Sequence, residues 1–573
     1  MGSQPLDQQL AITTARQVLG TLIQAGIRDL VISPGSRSAP FAYAAAEAEY
    51  AGLLRIHVRI DERSAAFMAL GLAQSTQRPV AVAATSGTAI GQMLPAVMEA
   101  NHTATPLLVL SADRPDELHG TGASQSTKQK TLFGEHVRVA LNVPAGAEPI
   151  EALEQALLNL QGTQLVPAGP VQLNIQFRDP LIPADSESIK HQFWTEIQPG
   201  AWPDTVHAQS ASDEEQAENL PLRRTVVVAG HEAGEQAQIF ARQLGLPLFA
   251  EPSSNARYSE HAIAHYRPLI SVGLERIERV VLFGRPTLSR PVAKLLADPR
   301  IESAIWQPGP VAWYEAGRRP ETPIGTWQEL QEFAGTAPQG WLAAWQELNS
   351  QAQRIRSSQE NESSINGLDV AQVIWEQQPK VLLLGSSNIV RDFDLAATPA
   401  EDHEGTVFAN RGLAGIDGTI STALGLAVGS QQRTVAVMGD ITFAHDASAL
   451  SWTPGEPQPE LDVVVYNDAG GAIFSTLEHG AVDDSGRYAD AVERLFATPQ
   501  KFDIQYLAKA YKWQYEQAAT KSDLTNILEQ TGDTKLRLIE VVASRENLRA
   551  DNQNLNQLIG HLSWPGAGEQ KRS

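Results

Sequence analysis

The sequence of 573 residues contains no cysteine. Disulfides, thiol nucleophiles, thiolate-bound zinc and iron–sulfur clusters are therefore excluded. Positive charge is also scarce, since 44 Lys and Arg residues stand against 66 Asp and Glu, for a formal net charge of −22. Because nucleic acids and anionic membranes require a basic face, we expect neither as a partner. Small anionic substrates respond to local charge and are compatible with this composition.

Long apolar runs are absent as well. No stretch reaches the roughly 20 residues that a membrane-spanning helix needs, and the nearest, 80–97, is interrupted by Thr85, Ser86, Gly87 and Gln92. The first residues, "MGSQPLDQQLAITTARQVLG", lack a basic segment followed by an apolar one, so we expect no signal peptide. We predict a cytoplasmic protein.

What the sequence does contain is an alternation of short β-rich runs with longer amphipathic stretches. Continuous apolar strands separated by helices predict doubly wound parallel sheets of the α/β class. The chain is too long for one core, and breaks rich in proline or charge lie at 178–224 and 333–368. We predict three domains, at 1–185, 190–350 and 356–573.

An internal repeat relates the first and third of these domains. Four segments recur in the same order and at a nearly constant separation. In the first domain they are "VISPGSR" (31–37), "ALGLAQS" (69–75), "RPVAVAATSGTA" (78–89) and "PLLVLSADRP" (106–115). Their counterparts in the third domain are, in the same order, "LLLGSSN" (382–388), "ALGLAVGS" (423–430), "RTVAVMGDITFA" (433–444) and "LDVVVYNDAG" (461–470). We therefore predict that the first and third domains are copies of one fold, with a divergent domain between them.

The strand ends of the third domain carry oxygen ligands. Asp440 ends one predicted strand, and the glycine-rich "YNDAGG" (466–471) ends the next. Alone, Asp440 is more simply explained as a helix cap. Beside 466–471, it favours a hard-cation site of the kind that Mg²⁺ prefers, completed by water and a phosphate. Asp446 is either a first-turn helix acid or a support for this loop.

This pair of strand ends resembles the thiamine diphosphate motif, in which Gly-Asp is followed by Asn-Asn and glycine. The resemblance implies a thiamine diphosphate-binding fold and a Mg²⁺ site (Mn²⁺ is an alternative) formed by Asp440, Asp468 and the Gly470 carbonyl. Asp468 stands where the family usually has its second Asn, so Asn467 is the alternative ligand. Glu62, from the first domain, matches the glutamate that binds the aminopyrimidine ring. A site divided in this way implies a homodimer or a dimer of dimers.

Arginines cluster at the strand ends and suggest an anionic pocket. Single arginines at such positions are usually surface ion pairs of little consequence. Five in so acidic a chain favour substrates with several carboxylates, which match the planar guanidinium. They are Arg37, Arg114, Arg290, Arg391 and Arg411.

Together, "SPGSRSAP", "DERSAAFMALG", "ADRPDEL", "NRGLAGIDGTIST", "GDITFAHD" and "GGAIF" closely resemble the family of 2-succinyl-5-enolpyruvyl-6-hydroxy-3-cyclohexene-1-carboxylate (SEPHCHC) synthases, the MenD family. The resemblance implies a transferase that decarboxylates 2-oxoglutarate and adds the succinyl carbanion equivalent to isochorismate. This reaction belongs to menaquinone or phylloquinone biosynthesis, and the sequence does not choose between the two.

The same resemblance assigns residues to the site. Around the substrates it places Ser36, Arg37, Arg114, Gln125, Arg290, Ser387, Arg391 and Arg411. Three of these residues, Arg37, Arg391 and Arg411, are also catalytic candidates, and the fourth catalytic candidate is Glu62. Around the cofactor it places Glu62, Thr85, Gly87, Ile416, Gly439, Asp440, Ile441, Asp468, Gly470, Ile473 and Phe474. Ser124 and Ser289 depart from the residues of many relatives and receive no role.

Three alternatives remain open at this point. An acetolactate-synthase-like or 2-oxoacid decarboxylase activity would share Glu62 and the metal motif, but not "SPGSRSAP" with this arginine set. In a non-catalytic α/β binding protein, Asp440 would be a cap and Glu62 a surface acid. A ligand site at "VVVAGHEAGEQ" (226–236) of the central domain is disfavoured by Glu232 and Glu235. Feedback regulation is not predictable from the sequence.

Overall fold

The computed structural model describes residues 10–184, 187–203, 219–315, 317–359, 364–399, 405–530, 532 and 534–565. Three sheets organise this part of the chain, and the strands within each sheet pair in parallel. The predicted α/β class with doubly wound parallel sheets is confirmed.

The first sheet has six strands in the order β2-β1-β3-β4-β6-β5. Its strands are β1 (Asp29–Ile32), β2 (Arg55–Val58), β3 (Val80–Ala84), β4 (Leu107–Asp113), β5 (Ala140–Val143) and β6 (Val171–Gln176). The helices around it are α1 (Ala11–Gln24), α2 (Ala39–Tyr50), α3 (Glu62–Thr76), α4 (Thr88–Gln92), α5 (Leu94–His102) and α6 (Ile150–Gln161).

The second sheet has five strands in the order β11-β10-β9-β7-β8. Its strands are β7 (Thr225–Ala229), β8 (Leu248–Ala250), β9 (Arg279–Phe283), β10 (Glu302–Trp306) and β11 (Thr322–Ile324). The helices here are α7 (Glu235–Leu244), α8 (Tyr266–Gly273), α9 (Arg290–Leu296), α10 (Trp327–Ala334) and α11 (Trp341–Ser357).

The third sheet repeats the strand order of the first, as β13-β12-β14-β15-β17-β16. Its strands are β12 (Val381–Leu384), β13 (Thr406–Phe408), β14 (Thr434–Gly439), β15 (Leu461–Asn467), β16 (Gln514–Ala518) and β17 (Leu536–Val542). Its helices are α12 (Gly367–Glu376), α13 (Ile389–Ala396), α14 (Thr419–Ser430), α15 (Asp440–His445), α16 (Ile473–Thr476), α17 (Glu478–Asp484), α18 (Ala489–Val492), α19 (Ile504–Tyr511), α20 (Lys521–Glu529) and α21 (Leu548–Gly560).

The shared strand order confirms the predicted duplication. The four recurring segments fall on equivalent elements, namely β1 and β12, α3 and α14, β3 and β14, and β4 and β15. The reason for their apolar character is burial on both faces. In β3, Val80, Val82 and Ala84 pack with α3, whereas Ala81 and Ala83 pack with α1 and α2.

The recurring "ALGLA" has a packing role, because α3 and α14 lie against each other. A Cβ atom on Gly71 would come within 2.2 Å of the Thr422 carbonyl oxygen, and one on Gly425 within 2.2 Å of the Met68 carbonyl oxygen. Each copy of the repeat thus supplies a glycine that lets the partner helix approach its backbone. This contact between two helices joins the first and third domains.

The last helix returns to the central sheet. Leu555 and Ile559 of α21 are buried in the same cluster as Trp341 and Trp345 of α11, with Trp564 packed against it. As a result, α21 forms one wall between the central and third sheets. In the part of the chain that the structure describes, no helix is long and apolar enough to cross a membrane.

Candidate active site

Two buried carboxylates meet at the carboxyl ends of neighbouring strands. Asp440 follows Gly439 at the end of β14, Asp468 follows β15, and the two side chains are only 3% and 6% exposed. Burial raises the pKa of Asp440 to about 6, against hydrogen bonds from the backbone of Ile441 and Gly470. Burial, together with the charge of Asp440, raises the pKa of Asp468 to about 7. A cation between them would offset this cost.

The neighbouring Asn467 is engaged elsewhere. Its Nδ2 donates to Glu540 Oε1 at 2.6 Å, and its Oδ1 accepts from the backbone N–H of Ala469 at 3.2 Å. Asp468 instead lies in the electrostatic field of Asp440. Of the two alternatives that the sequence left open, this arrangement favours Asp468 as a metal ligand.

The turn after β15 requires glycine. Gly470 has a φ of +145°, and a Cβ atom there would lie 2.7 Å from the Ala497 carbonyl oxygen. The side chain of Arg545 is close by, at 3.2 Å from the same Cβ position. Its positive charge reduces, but does not cancel, the rise in the pKa values of Asp440 and Asp468. No local pattern in the sequence points to Arg545, because it follows β17, far along the chain from both aspartates.

Ser387 offers an unpaired hydroxyl beside Gly439, at the end of β14. It follows β12, the other neighbour of β14, and its buried Oγ has no hydrogen-bond partner among the described residues. A Cβ atom on Gly439 would lie 3.5 Å from that oxygen. The paired carboxylates and the orphan hydroxyl are groups that a metal ion and a diphosphate would satisfy, so the residues present fit both.

Four apolar candidates surround the same strand ends. Ile416 immediately precedes α14, Ile441 lies in α15, and Ile473 and Phe474 begin α16. All four are half-buried, which leaves part of each side chain free to contact a ligand. Phe474 is held in place by Phe496, with ring centroids 5.5 Å apart.

Arg411 is more enclosed than the sequence suggested. Its side chain is 4% exposed and donates from Nε to Thr287 Oγ1 and from Nη2 to the Thr287 carbonyl oxygen, both at 2.9 Å. Burial lowers its pKa to about 10. Thr287 is fixed in turn by Glu251, whose Oε1 accepts from the Thr287 N–H at 2.8 Å. Arg411 thus ties the third sheet to the central one.

A carboxylate from the first domain holds the loop that carries Arg411. Glu99, in α5, is buried and accepts from the backbone N–H groups of Gly412 and Leu413, each at 2.7 Å. Arg285 of the central domain donates to the Gly412 carbonyl oxygen at 2.5 Å. Three domains therefore fix one loop. Sequence reasoning missed Glu99, because an Asp or Glu inside a helix carries no local signal for so distant a contact.

The candidates of the first domain form a second group at the ends of β1, β3 and β4. The backbone N–H of Arg37 donates to Thr85 Oγ1 at 3.3 Å, and Arg114 donates to the Gln125 carbonyl oxygen at 2.7 Å and to Ser86 Oγ. Gly87 has a φ of +90°, and its Cβ position lies 3.4 Å from the Cα of Gln125.

Two features of this group concern ligand binding. Ser36 is exposed, and the buried Nε of Arg37 has no partner in the described part of the chain. The Nη1 of Arg37 donates to the Phe177 carbonyl oxygen at 2.8 Å. No hydrogen bond or ion pair between described residues joins this group to the candidates of the third domain.

Glu62 begins α3, with Asp61 as the N-cap that accepts from the N–H groups of Arg63 and Ser64. The Glu62 carboxylate is half-buried and makes no hydrogen bond within the described residues. Next to it, Ile60 is 73% exposed.

The residues on either side of Glu62 contact the far end of α15. Asp61 accepts from Ser448 Oγ at 3.1 Å, and Arg63 donates to the His445 carbonyl oxygen at 2.9 Å. Asp446 accepts from the Ser421 N–H at 2.8 Å and from Ser421 Oγ at 3.0 Å, so it links α15 to the start of α14. Asp446 is therefore a support between helices.

Arg290 lies apart from both groups, at the start of α9 in the central domain. It lines a cavity of about 720 Å³ between α8, α9, the start of α13, residues 476–477 and α21. The positively charged residues along this cavity are Arg267, Arg290, Lys294, Arg391 and Arg549. Since Arg391 donates to the Ser387 carbonyl oxygen at 2.9 Å, the cavity adjoins the strand ends described above.

Comparison with known proteins agrees with this geometry. Residues 12–132 match the family model described as "Thiamine pyrophosphate enzyme, N-terminal TPP binding domain". A SEPHCHC synthase of Paenarthrobacter aurescens (strain TC1) is 51% identical over 96% of this chain and 97% of its own length. Those of Arthrobacter sp. (strain FB24) and Mycobacterium leprae (strain Br4923) are 51% and 38% identical over 97% and 94% of this chain.

The fold and the site thus define a thiamine pyrophosphate enzyme. Within that class, the chain belongs to the family of 2-succinyl-5-enolpyruvyl-6-hydroxy-3-cyclohexene-1-carboxylate synthases. The predicted resemblance is confirmed, and so is the prediction of an enzyme. The interpretation as a non-catalytic binding protein is set aside with it.

Proposed function

We propose that this enzyme converts 2-oxoglutarate and isochorismate into SEPHCHC and CO₂ with thiamine diphosphate and Mg²⁺ (or Mn²⁺), in menaquinone or phylloquinone biosynthesis. The observation that carries the proposal is the cavity lined by five positively charged residues beside the buried pair of carboxylates. Both substrates carry two carboxylates, which suit such a cavity.

In this proposal, Asp440, Asp468 and the Gly470 carbonyl hold the metal ion. Among the described residues, no group of three or more His, Asp or Glu side chains is arranged to bind a metal. Two carboxylates and a carbonyl are nevertheless enough for Mg²⁺, which keeps water and phosphate oxygens in its remaining positions. When bound, thiamine diphosphate supplies the electron sink that decarboxylation and carbon–carbon bond formation require.

The surrounding residues hold the cofactor in place. The backbone of Gly439 and Ile441 would hold the diphosphate, and Ile416, Ile473 and Phe474 would provide apolar support. On the first domain, the loop with Thr85 and Gly87 would contact the cofactor's ring, and the Glu62 carboxylate would hold a proton at the aminopyrimidine nitrogen.

The substrates bind through arginines and short polar groups. Arg391 and Arg290 line the cavity and would receive carboxylates, and the free Nε of Arg37 is available for a third. Arg114 and Arg411 add positive charge from either side. The remaining contacts would come from Ser36, Gln125 and the unpaired Ser387 hydroxyl. Enclosure by these residues would exclude water from the reacting atoms.

We also propose that the complete site forms between two copies, in a homodimer or a dimer of dimers. Within one chain, the neighbours of Glu62 contact residues 445 and 448, whereas Asp440 is at the opposite end of α15. Six residues of helix separate these ends by about 9 Å. The unpaired Glu62 and the exposed Ile60 support a partner subunit at this position.

Two further predictions are retained as proposals. The first is the set of domain bounds, 1–185, 190–350 and 356–573, which the sheets at 29–176, 225–324 and 381–542 support, although residues 193–202 pack on the first core and α21 packs on the central one. The second is the cytoplasmic location.

The test is the loss of isochorismate absorbance with purified protein, Mg²⁺ and thiamine diphosphate, with and without 2-oxoglutarate. We expect isochorismate to disappear only when all three additions are present. Release of CO₂ from 2-oxoglutarate without consumption of isochorismate would contradict the proposed second substrate.

A further inference from the structure

An ion pair spans the mouth of the cavity. Arg290 Nη2 of the central domain lies 2.6 Å from Glu478 Oε2, the first residue of α17 in the third domain. Both side chains are exposed, at 69% and 67%. Arg290 is a residue to which the proposed function assigns a substrate carboxylate, and in this structure a carboxylate of the chain itself occupies it.

The segment that carries Glu478 is also attached elsewhere. Arg549 of α21 donates to Asp484 Oδ2 at 2.7 Å, and to the carbonyl oxygens of Ser475 and Leu477 at 2.8 and 3.1 Å. Arg545 donates to Glu493 at 2.6 Å. These contacts hold residues 475–493 whether or not Glu478 binds Arg290, so releasing Glu478 does not require the segment to unfold.

The pair with Arg290 differs from these in the position of its arginine. Arg545 lies just before α21 and Arg549 lies in it, and both belong to the same domain as the segment that they hold. Arg290 belongs to the opposite wall of the cavity, one turn before Lys294 on α9. An exposed ion pair contributes little free energy, so an incoming carboxylate can replace Glu478.

From these observations, which rest on the proposed function, we infer that Glu478 is an internal competitor for the substrate carboxylate at Arg290. Glu478 neutralises Arg290 while the cavity lacks substrate and gives it up when the acidic substrate enters. It is therefore an affinity-determining residue, which sets KM without touching the reacting atoms.

The experiment compares the purified full-length enzyme with its Glu478→Gln variant by steady-state kinetics, varying each acidic substrate in turn. Glutamine keeps the size of the side chain but loses the charge that competes. We expect KM for the substrate bound at Arg290 to fall about 1.5- to 5-fold, the range that the strength of an exposed ion pair allows, with kcat unchanged. The fall should shrink at high ionic strength, where the pair is screened.

Glu275→Gln is the matched control. It removes a carboxylate charge from an exposed arginine pair whose two residues are not among those lining the cavity, while Arg300 keeps Asp298 as its partner. We expect KM to be unchanged in this variant. In an Arg290→Gln background, Glu478→Gln should have no further effect, since the two residues act as a pair.

The outcomes distinguish a failure of the role of Glu478 from a failure of the proposed function. An unchanged or raised KM in Glu478→Gln, or an equal fall in Glu275→Gln, overturns the role of Glu478 and leaves the proposed function standing, provided that the parent enzyme turns over. Absence of turnover in the parent enzyme removes the proposed function and the role of Glu478 with it.

Discussion

At the scale of single residues, the burial of Asp440 and Asp468 is the strongest sign of a bound cation. Two carboxylates with pKa values raised to about 6 and about 7 are kept side by side at 3% and 6% exposure. Hydrogen bonds alone do not compensate for that burial, because Asp440 receives them only from backbone N–H groups and the nearest guanidinium, Arg545, is paired with Glu493. The divalent ion of the proposed function would compensate for this burial.

Substitution of Asp468 tests which residue binds the ion. We expect Asp468→Asn to raise the Mg²⁺ concentration needed for half-maximal activity by about 10- to 100-fold. Asn467→Ala should instead lower the thermal midpoint, because it removes the contact with Glu540, and should leave the Mg²⁺ requirement unchanged. Titration of activity with Mg²⁺ distinguishes the two, and the opposite pattern would assign the ligand to Asn467.

At the scale of elements, the loop at 411–413 is where three domains meet. Glu99 accepts from two of its N–H groups, Arg285 donates to one of its carbonyl oxygens, and Arg411 extends from it to Thr287. The loop leads to Ile416 and α14, so in the proposed function its position would govern both the substrate and the cofactor sides of the site. There, Glu99 would position residues that contact the ligands.

Glu99→Gln should weaken both stability and catalysis. The amide can accept from only one of the two N–H groups and leaves the other unpaired, which costs about 1–3 kcal/mol. We expect a lower thermal midpoint and a fall in kcat/KM of about tenfold or more, since Arg411 and Ile416 shift together. Glu49→Gln is the control, because Glu49 Oε1 accepts from the Ile56 N–H at an exposed position. Equal losses in both variants would refute the role of Glu99.

Glu251 makes the same junction sensitive to pH. Burial raises its pKa to about 7, above its ordinary value of 4.5. The folded state therefore binds this proton more tightly than the unfolded state, and the stability that it contributes is lost as pH rises from about 4.5 to 7. We expect the thermal midpoint of Glu251→Gln, relative to the parent, to rise between pH 5 and pH 8. A difference that stays constant across this range would contradict the assignment.

The strand ends were predictable from sequence, whereas the clamps between domains were not. Apolar runs such as 435–438 pack on both sides, so their pattern alone marks a buried parallel strand and the residue that follows it. Glu99 and Gly412 are 313 residues apart, and the Arg411–Thr287 contact crosses 124 residues. No local periodicity reports such contacts. The packing of α21 on the central core escaped prediction for the same reason.

At the scale of the whole molecule, the two groups of candidate residues occupy different copies of a duplicated fold. Within one chain, the first and third domains meet through α3 and α14, and this contact leaves the Glu62 carboxylate unpaired. Two copies related by symmetry would bring Glu62 of one to the cofactor of the other. The duplication therefore accounts for the strand order, and it would also account for the divided site of the proposed function.

Mixing two inactive variants tests this arrangement. We expect Glu62→Gln and Asp440→Asn to be inactive separately and to recover activity when unfolded and refolded together. A mixed dimer contains one site with both native residues, so recovery should approach about a quarter of the parent activity if copies pair at random. Size-exclusion chromatography of the mixture verifies assembly. Assembled dimers without any recovery would place Glu62 and Asp440 of the same chain in one site.

The proposed reaction joins two acidic substrates with loss of CO₂. Mass spectrometry can follow the reaction of unlabelled isochorismate with 2-oxoglutarate that carries heavy carbon at its C1 carboxylate. We expect all of the label to leave as CO₂, and the product to have the mass of both substrates less CO₂. Labelled CO₂ accompanied by free succinic semialdehyde and intact isochorismate would contradict the proposed reaction.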